Sequence, residues 1–524
     1  MTKVVLHVPH NIEQVIKTLK DKGFEGFLVG GCVRDMLMNK APNDWDVTTN
    51  ATPEQIQEIF EHTFYENDFG TVGVVNDDVI KEYEELENLV PEQEHFYEDL
   101  SDKTKELIRK IEKLRSESVV EITPYRTEGT YTDNRRPDDV TFSDTLDSDL
   151  SRRDFTVNAL AYDPIEQILV DQHDGVKDMN QMTLSTVGDP DTRFSEDALR
   201  MLRAVRFTAQ LGFTLHIDTF QAIKNNADLL KYVSKERIRD EFIKILSTEN
   251  PKDALFLAHD VGILQYISHD LTRGIGIEQN GAHKYDVFEH LVRTMQHGAD
   301  KEWSMSIRLA GLFHDISKPE TRRWSKEKND YTFYGHEVVG ARVTRKALQE
   351  LKFSNQVIEK VSTLVRWHMF FSDPDEITLS AVRRIIRNVG PENVWDLIRL
   401  RICDRIGMGR PKERSYRLRK YVSMMDEAMR SPISVKDLKI NGDIILRDYD
   451  IEPGRKLGYI LKALMAETLA HPDDNNEEHL RGRVATLVTM DEDVLKTMAE
   501  KGEDAMFRAE EEELRKIRRK HKVR

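Results

Sequence analysis

Two aspartates one residue apart, Asp44 and Asp46 in Asn43-Asp44-Trp45-Asp46-Val47, have the type and spacing for metal-assisted chemistry. Strand side chains repeat every second position, so a strand over this stretch turns both carboxylates to one face. Bare carboxylates about 4 Å apart repel by about 4 kcal/mol at an effective dielectric near 20. Such a pair wants a divalent cation, and all-oxygen ligation suits Mg²⁺ held jointly with substrate phosphates. Just upstream, Phe27-Leu28-Val29 reads as a buried strand, and Gly30-Gly31 lets backbone come close to a phosphate chain. An isolated Asp-x-Asp is usually a solvated turn. Here strand, double glycine, Arg34-Asp35 and the acidic pair follow in quick succession, which points to a two-metal phosphoryl-transfer site.

Further along, Arg152-Arg153-Asp154-Phe155-Thr156-Val157-Asn158-Ala159 pairs adjacent arginines, suited to bidentate phosphate contacts, with an aspartate able to accept from a ribose hydroxyl. Glu121, in Val119-Val120-Glu121-Ile122, is either a third carboxylate near the metal pair or the exposed face of its strand. The segment from Glu196 to Phe207 reads as one helix with an acidic start, carrying Arg200, Arg203 and Arg206 at three-residue spacing. Capping is the simplest role for Glu196. On a helix Glu196, Arg200 and Arg203 fall within about 60° of one another, and Asp197 lies beside Arg200 one turn on. An aspartate next to a guanidinium offers an acceptor beside a donor fork, which complements the amine-plus-ring-nitrogen edge shared by cytosine and adenine. Uracil and guanine reverse that polarity, and each would leave buried groups unpaired at about 1–3 kcal/mol apiece.

A second set of ligand types follows. His290, the His314-Asp315 pair, His336, His368 and Asp404 are spread over the middle of the chain. Mixed imidazole and carboxylate ligands suit Mn²⁺, Fe²⁺, Ni²⁺ or Zn²⁺ better than Mg²⁺ alone.

The elements around these residues fall into two styles. Residues 11–22 read as a helix leading into the Phe27–Val29 strand. Short β-type runs at 46–48, 71–75, 119–125 and 140–142 then predict a small mixed sheet, interrupted at 77–118 by a charged helical hairpin or arm. Beyond about residue 180 the pattern is helical, punctuated by proline and glycine breaks. The fold class is therefore α+β, with expected domains at 1–180, 181–272, 273–410 and 411–524. The length of 524 residues and 39% hydrophobic content suit several globular cores. No apolar stretch approaches a membrane span, the N-terminus lacks a secretion signal, and two cysteines far apart fit a reducing cytoplasm. The net charge of −16 hides segregation: residues 77–118 carry 14 acids against 7 bases, residues 399–420 carry 9 bases against 2 acids. The second stretch reads either as a solvated face or as a stripe for RNA backbone, and the basic end after Glu513 as a solvated helix or an RNA-touching tail.

The elements Gly-Gly-x-Val-Arg-Asp … Asp-x-Asp, Arg-Arg-Asp-Phe-Thr-x-Asn-Ala and Glu-Asp-x-x-Arg, in this order, resemble the bacterial class II tRNA nucleotidyltransferase and poly(A) polymerase family over about residues 15–250, with an echo at Leu438–Asp443. The resemblance implies a polymerase-β-like head with Mg²⁺ on Asp44 and Asp46, and nucleotide contacts from Gly30, Gly31, Arg34, Arg153, Asp154, Asp197, Arg200, Arg203 and Arg206. Residues 131–137 match the family's flexible loop, which implies full CCA or terminal-A addition from CTP and ATP to tRNA or another RNA 3′ end. Poly(A) addition is the alternative within the family. Val233-Ser234-Lys235-Glu236-Arg237-Ile238 fits its neck helix. The histidine set resembles the HD metal-dependent phosphohydrolases. That implies a divalent transition metal or Mg²⁺ on His290, His314, Asp315, His336, His368 and Asp404, with a damaged RNA end as substrate. A rival reading makes the whole chain chiefly such a phosphohydrolase.

Overall fold

The computed structural model describes residues 2–65, 70–87, 102–128, 140–143, 145–281, 283–370, 377–430 and 435–523. It divides into two compact units: Met1–Glu278 with Asp286–Arg308 and Arg345–Ile358, and Gln279–Tyr285 with Leu309–Thr344 and Glu359–Arg524. The expected 273–410 domain is thus shared between the two units. Among the described residues no helix is long and apolar enough to cross a membrane.

The first unit is built on an eight-stranded sheet in the order Thr2–Lys3, Ile168–Asp171, Leu160–Asp163, Phe27–Val29, Trp45–Thr49, Val119–Pro124, Val72–Val75, Thr63–Tyr65. Trp45–Thr49 runs parallel to Val119–Pro124, and the other neighbours are antiparallel. Helix His10–Asp21 lays Ile12, Ile16 and Leu19, all fully buried at helical spacing, against Leu28, Val47 and Ile122 of the sheet. Four strands of this sheet escape the sequence reading: Thr2–Lys3, Thr63–Tyr65, Leu160–Asp163 and Ile168–Asp171. Each is short, and short apolar runs carry little periodicity.

The 77–118 insertion is two packed helices, Asp77–Glu87 and Asp102–Glu117, tied by Lys110 and Glu82 at 3.0 Å. It enters between adjacent antiparallel strands: Val75 pairs with Val119, and Asn76 N–H donates to Ser118 O at 2.8 Å. The flexible-loop match at 131–137 lies outside the described residues. The strands flanking it, Arg126–Glu128 and Val140–Phe142, pair with each other instead of joining the main sheet.

The segment from Glu196 to Phe207 is not one helix. Pro190–Glu196 ends there, and Leu199–Leu211 starts anew with the Asp197 carboxylate accepting from Leu199 N–H at 3.1 Å. Asp197 is extended, with φ −142° and ψ 103°. The carboxylate that can satisfy an orphan amide at a helix start also breaks the preceding helix.

In the second unit the helices Arg455–Ala470, Glu477–Val488 and Glu492–Lys520 enclose a core of Leu464, Val484, Leu487 and Leu495. Two of them touch at backbone distance: a Cβ on Gly502 would lie 2.3 Å from the Lys462 carbonyl oxygen. The Leu438–Asp443 echo has structural work here, since Asn441 caps helix Gly442–Asp448 and Ile440 joins the core. The basic tail is docked on helix Tyr416–Met429. Lys520 and His521 both reach Asp426, and Arg430 grips Glu510 with two bonds of 2.7 and 2.9 Å. Nor is the 399–420 stretch one stripe, because it breaks between helices Val394–Gly407 and Tyr416–Met429. Arg399 there pairs with Asp396 and Arg401 with Asp404.

Candidate active site and metal cluster

Gly30 ends the Phe27–Val29 strand at φ +81°, a region open to glycine, and starts helix Gly31–Leu37. A Cβ there would lie 3.0 Å from Arg153 Nη1 and 3.8 Å from Asp46 Oδ2, so a larger residue would press on the Arg153 guanidinium. Asp46 is the second residue of strand Trp45–Thr49, while Asp44 stands just before it and is exposed. Both carboxylates line one cavity of about 760 Å³ with Gly30, Gly31, Arg34, Arg153, Asp154, Arg203 and Arg206. Burial, offset by Arg153 and reinforced by Asp44, pushes Asp46 up to about 6. This acidic pair is therefore uncomfortable without added positive charge, which is the electrostatic fit a divalent cation needs.

Glu121 stands opposite Asp46 in the parallel pairing of Trp45–Thr49 with Val119–Pro124, so the two side chains share a sheet face. It is half-buried and is not among the residues lining the cavity.

The arginines are held before any ligand arrives. Asp149, fully buried on helix Leu146–Ser151, takes Arg152 on Oδ1 at 2.6 Å and Arg153 on Oδ2 at 3.1 Å. Burial alone would raise Asp149, but the two guanidiniums outweigh it and hold its pKa below the ordinary value. Arg153 faces the cavity and Arg152 does not line it, so the expected double-arginine contact reduces to one. Arg34 donates to Asp35 Oδ1 at 2.7 Å and to Asn158 Oδ1 at 2.6 Å. Asp154 accepts from Arg203 Nε at 2.6 Å, from its neighbour's Phe155 N–H at 2.9 Å and from Asn158 at 3.3 Å. Arg206 pairs with buried Glu241 at 3.0 Å. At the centre, the Phe207 ring carries the guanidiniums of Arg34, Arg203 and Arg206 at 5.5, 5.4 and 4.5 Å.

Asp197 and Arg200 meet the structure differently from the sequence expectation. Their backbones are joined by Arg200 N–H to Asp197 O at 3.0 Å, yet neither side chain lines the cavity. Asp197 Oδ2 accepts from Arg237 at 2.7 Å, and Arg200 engages Glu196 and the Arg152 carbonyl. The helix break at Asp197 turns its carboxylate toward its own helix start, and Arg237 lies on helix Lys235–Ser247. The aspartate–arginine pairs inside the cavity are Asp154–Arg203 and Asp35–Arg34. Sequence reasoning missed Asp149, Asn158, Phe207, Glu241 and Lys244, the last of which also lines the cavity. Asn158 was within reach, being part of the Arg-Arg-Asp-Phe-Thr-x-Asn element.

In the second unit, His314, Asp315, His336, His368 and Asp404 converge, all buried. Three imidazoles are tied in the same way, each Nδ1 on the carbonyl three residues earlier: His314 on Gly311 at 2.9 Å, His336 on Phe333 at 2.6 Å, His368 on Val365 at 2.7 Å. Those carbonyls accept an Nδ1 proton, which leaves each Nε2 as the ligand nitrogen. Nε2 of His336 and of His368 lie 3.1 and 3.5 Å from Asp315 Oδ1 and 3.3 Å from each other. His314 Nε2 lies 3.1 Å from Asp315 Oδ2 and 3.6 Å from Asp404 Oδ1. Two lone pairs so close repel unless a cation or proton lies between them, so the donor set fits a metal. His314, Asp315 and His368 form a group whose ligand atoms lie within 4.8 Å of one another, close enough to hold an ion. Burial opposes protonation of His314, but Asp315 and Asp404 push it up to about 10. His290 is buried on helix Val287–Asp300 of the first unit. Lys318 was not foreseen: it is 2.6 Å from Asp315 Oδ2 and donates to Gln279 Oε1 at 2.6 Å. Its place three residues after Asp315 was the available signal.

Three family models match the chain: the Poly A polymerase head domain at residues 26–106 and 84–185, the probable RNA and SrmB- binding site of polymerase A at 212–273, and the HD domain at 287–418. A CCA-adding enzyme of Enterococcus faecalis is 30% identical over 89% of this chain and 93% of its own length. One of Ligilactobacillus salivarius is 29% identical over 91% and 97%. One of Lactobacillus helveticus is 44% identical over 44% of this chain and 48% of its own. Among solved structures, the Bacillus stearothermophilus CCA-adding enzyme in complex with CTP shares the fold at TM-score 0.54 and 24% identity, covering 92% of this chain and 98% of that one. With its acidic pair and arginines gathered in one cavity and its relatives aligned nearly end to end, the chain belongs to the CCA-adding enzyme family and is a nucleotidyltransferase.

Proposed function

We propose that this protein adds C and A to the 3′ end of tRNA from CTP and ATP, without a nucleic-acid template and with release of pyrophosphate. The observation that carries this reading is the single cavity holding Asp44 and Asp46 opposite Arg153, Arg203 and Arg206. When bound to Asp44 and Asp46, Mg²⁺ supplies Lewis-acid stabilisation of the attacking 3′-oxygen and of the phosphates. Arg153, Arg203 and Arg206 neutralise the triphosphate, and their prior pairing with Asp149, Asp154 and Glu241 fixes their direction before the nucleotide arrives. Gly30 and Gly31 admit the phosphate chain against bare backbone. Asp197 and Arg200 read the base once they exchange Arg237 and Glu196 for it, while Asp154 and Arg34 fasten the cavity wall. Glu121 adds a third carboxylate beside Asp46. The decisive assay offers tRNA lacking CCA, and separately an unstructured RNA, with CTP, ATP or both. One terminal CCA on tRNA alone is expected, with Arg200→Ala losing about tenfold or more of its preference for C and A over U and G. Long A tails on unstructured RNA would replace this reading by poly(A) addition.

The buried cluster of the second unit is proposed to hold a divalent transition metal or Mg²⁺ and to hydrolyse a phosphoester at a damaged RNA end. Its support is the trio of pre-oriented Nε2 atoms around Asp315. With a 3′-phosphorylated oligonucleotide and added Mn²⁺ or Ni²⁺, phosphate release should fall at least 100-fold in Asp315→Ala. Full activity in that variant would remove the cluster from the chemistry. The proposed location is the cytoplasm, which accords with two buried free cysteines.

A further inference from the structure

The antiparallel hairpin Arg323–Ser325/Asp330–Thr332 is set on the metal cluster by both of its stems. Before it, helix Lys318–Thr321 begins with the lysine bound to Asp315. After it, Phe333 gives its carbonyl to His336 Nδ1 at 2.6 Å and its ring to Lys318 at 5.4 Å. The hairpin itself puts aromatic rings in solvent. Trp324 is 54% exposed and Tyr334 76%, large values for side chains that normally bury most of their area. The rings are ordered by local contacts: Trp324 meets Tyr331 edge-on at 5.0 Å, and the Arg322 guanidinium lies 3.5 Å over the Tyr331 ring. Lys328 Nζ donates to the Tyr334 hydroxyl at 2.8 Å.

Charge points the same way. Residues 322–334 hold Arg322, Arg323, Lys326 and Lys328 against Glu327 and Asp330. Asp330 is turned to backbone, accepting from Gly281 N–H at 3.1 Å and Tyr331 N–H at 2.7 Å. Arg323, Lys326 and Lys328 are all exposed. Exposed rings interleaved with exposed cations are what a single strand of nucleic acid uses, bases on the rings and phosphates on the cations. A protein partner would need a broader apolar surface than two separated rings supply.

We propose that this hairpin is a stacking platform for single-stranded RNA, binding the last bases of a strand so that its terminal phosphate reaches the His314–Asp315 cluster. The binding half stands on the hairpin alone, whereas delivery to the cluster rests on the hydrolase reading given above. The test uses the full-length protein and a fluorescein-labelled RNA pentamer with a 3′-phosphate, which cannot be extended by the first unit. Anisotropy should show Trp324→Ala/Tyr334→Ala binding it at least tenfold more weakly, the scale of lost base stacking, with Trp324→Phe restoring most of the affinity. Affinity should fall steeply with salt. Release of phosphate from the pentamer should drop in the double variant, while hydrolysis of p-nitrophenyl phosphate, which has no base to stack, and CCA addition to tRNA should stay within twofold. Equal pentamer binding by wild type and double variant would overturn the platform, and is also the result expected if the hairpin docks a protein. Weakened binding without hydrolysis of either substrate by the wild type would keep the platform and sink the hydrolase reading.

Discussion

Asp46→Asn should abolish nucleotide addition while leaving the first unit folded. Losing one carboxylate of the acidic pair removes a metal ligand and with it transition-state stabilisation of about 4 kcal/mol, on the order of 10³-fold in rate. Asp46 is half-buried with its pKa already pushed up to about 6, so the neutral amide suits its surroundings better than the bare carboxylate does. Thermal stability without Mg²⁺ should therefore be unchanged or higher. The measurement is incorporation of CMP and AMP into tRNA lacking CCA, alongside a melt in EDTA. A variant retaining a tenth of wild-type incorporation would mean that Asp46 is not a metal ligand.

Asp149→Ala should cost the first unit about 3 kcal/mol. Removing one partner of a buried ion pair leaves the other uncompensated at about 3–5 kcal/mol, and the low end applies because Arg152 and Arg153 keep some access to solvent. The effect is pH-dependent. A carboxylate whose native pKa is depressed stabilises fully above its unfolded value near 3.9, and that contribution is lost as pH falls through the lower native value. Amide exchange in strand Trp45–Thr49, whose Thr48 hydroxyl reaches Asp149 at 3.4 Å, should quicken at pH 7, and the difference from wild type should shrink toward pH 2. Identical exchange in the two proteins would show that the pair contributes nothing to the fold.

What the sequence disclosed divides along physical lines. The Asp44–Asp46 pair, the glycines and Arg153 were legible because their chemistry is local: alternation on a strand, a missing Cβ, a cation next in line. That Arg200, Arg203 and Arg206 share a helix was legible from their spacing, but only Arg203 and Arg206 reach the cavity. Partner choice was not. Whether Arg200 meets Asp197 or Glu196 depends on one helix break, and a carboxylate that caps a helix reads in sequence like one that faces a ligand. Asp149 stayed hidden because it lies inside an acidic run that looks like surface, although its partners are only three and four positions on. The four unforeseen strands of the main sheet were hidden by their shortness. In the second unit the ligand types were readable, but the common anchoring of three Nδ1 atoms to carbonyls three residues back needed coordinates.

The two helices between Val75 and Val119 leave the sheet and come back to it within one hydrogen bond, Asn76 N–H to Ser118 O. Seen this way the sheet has a socket at that corner: the register on either side is closed by the strands themselves, and whatever is plugged in cannot slip them. Chain length at the socket is thermodynamically cheap, since doubling a loop adds only about 0.6 kcal/mol of closure entropy. A short turn, a longer arm or a foreign module could occupy it with the acidic pair on the neighbouring strand still in place.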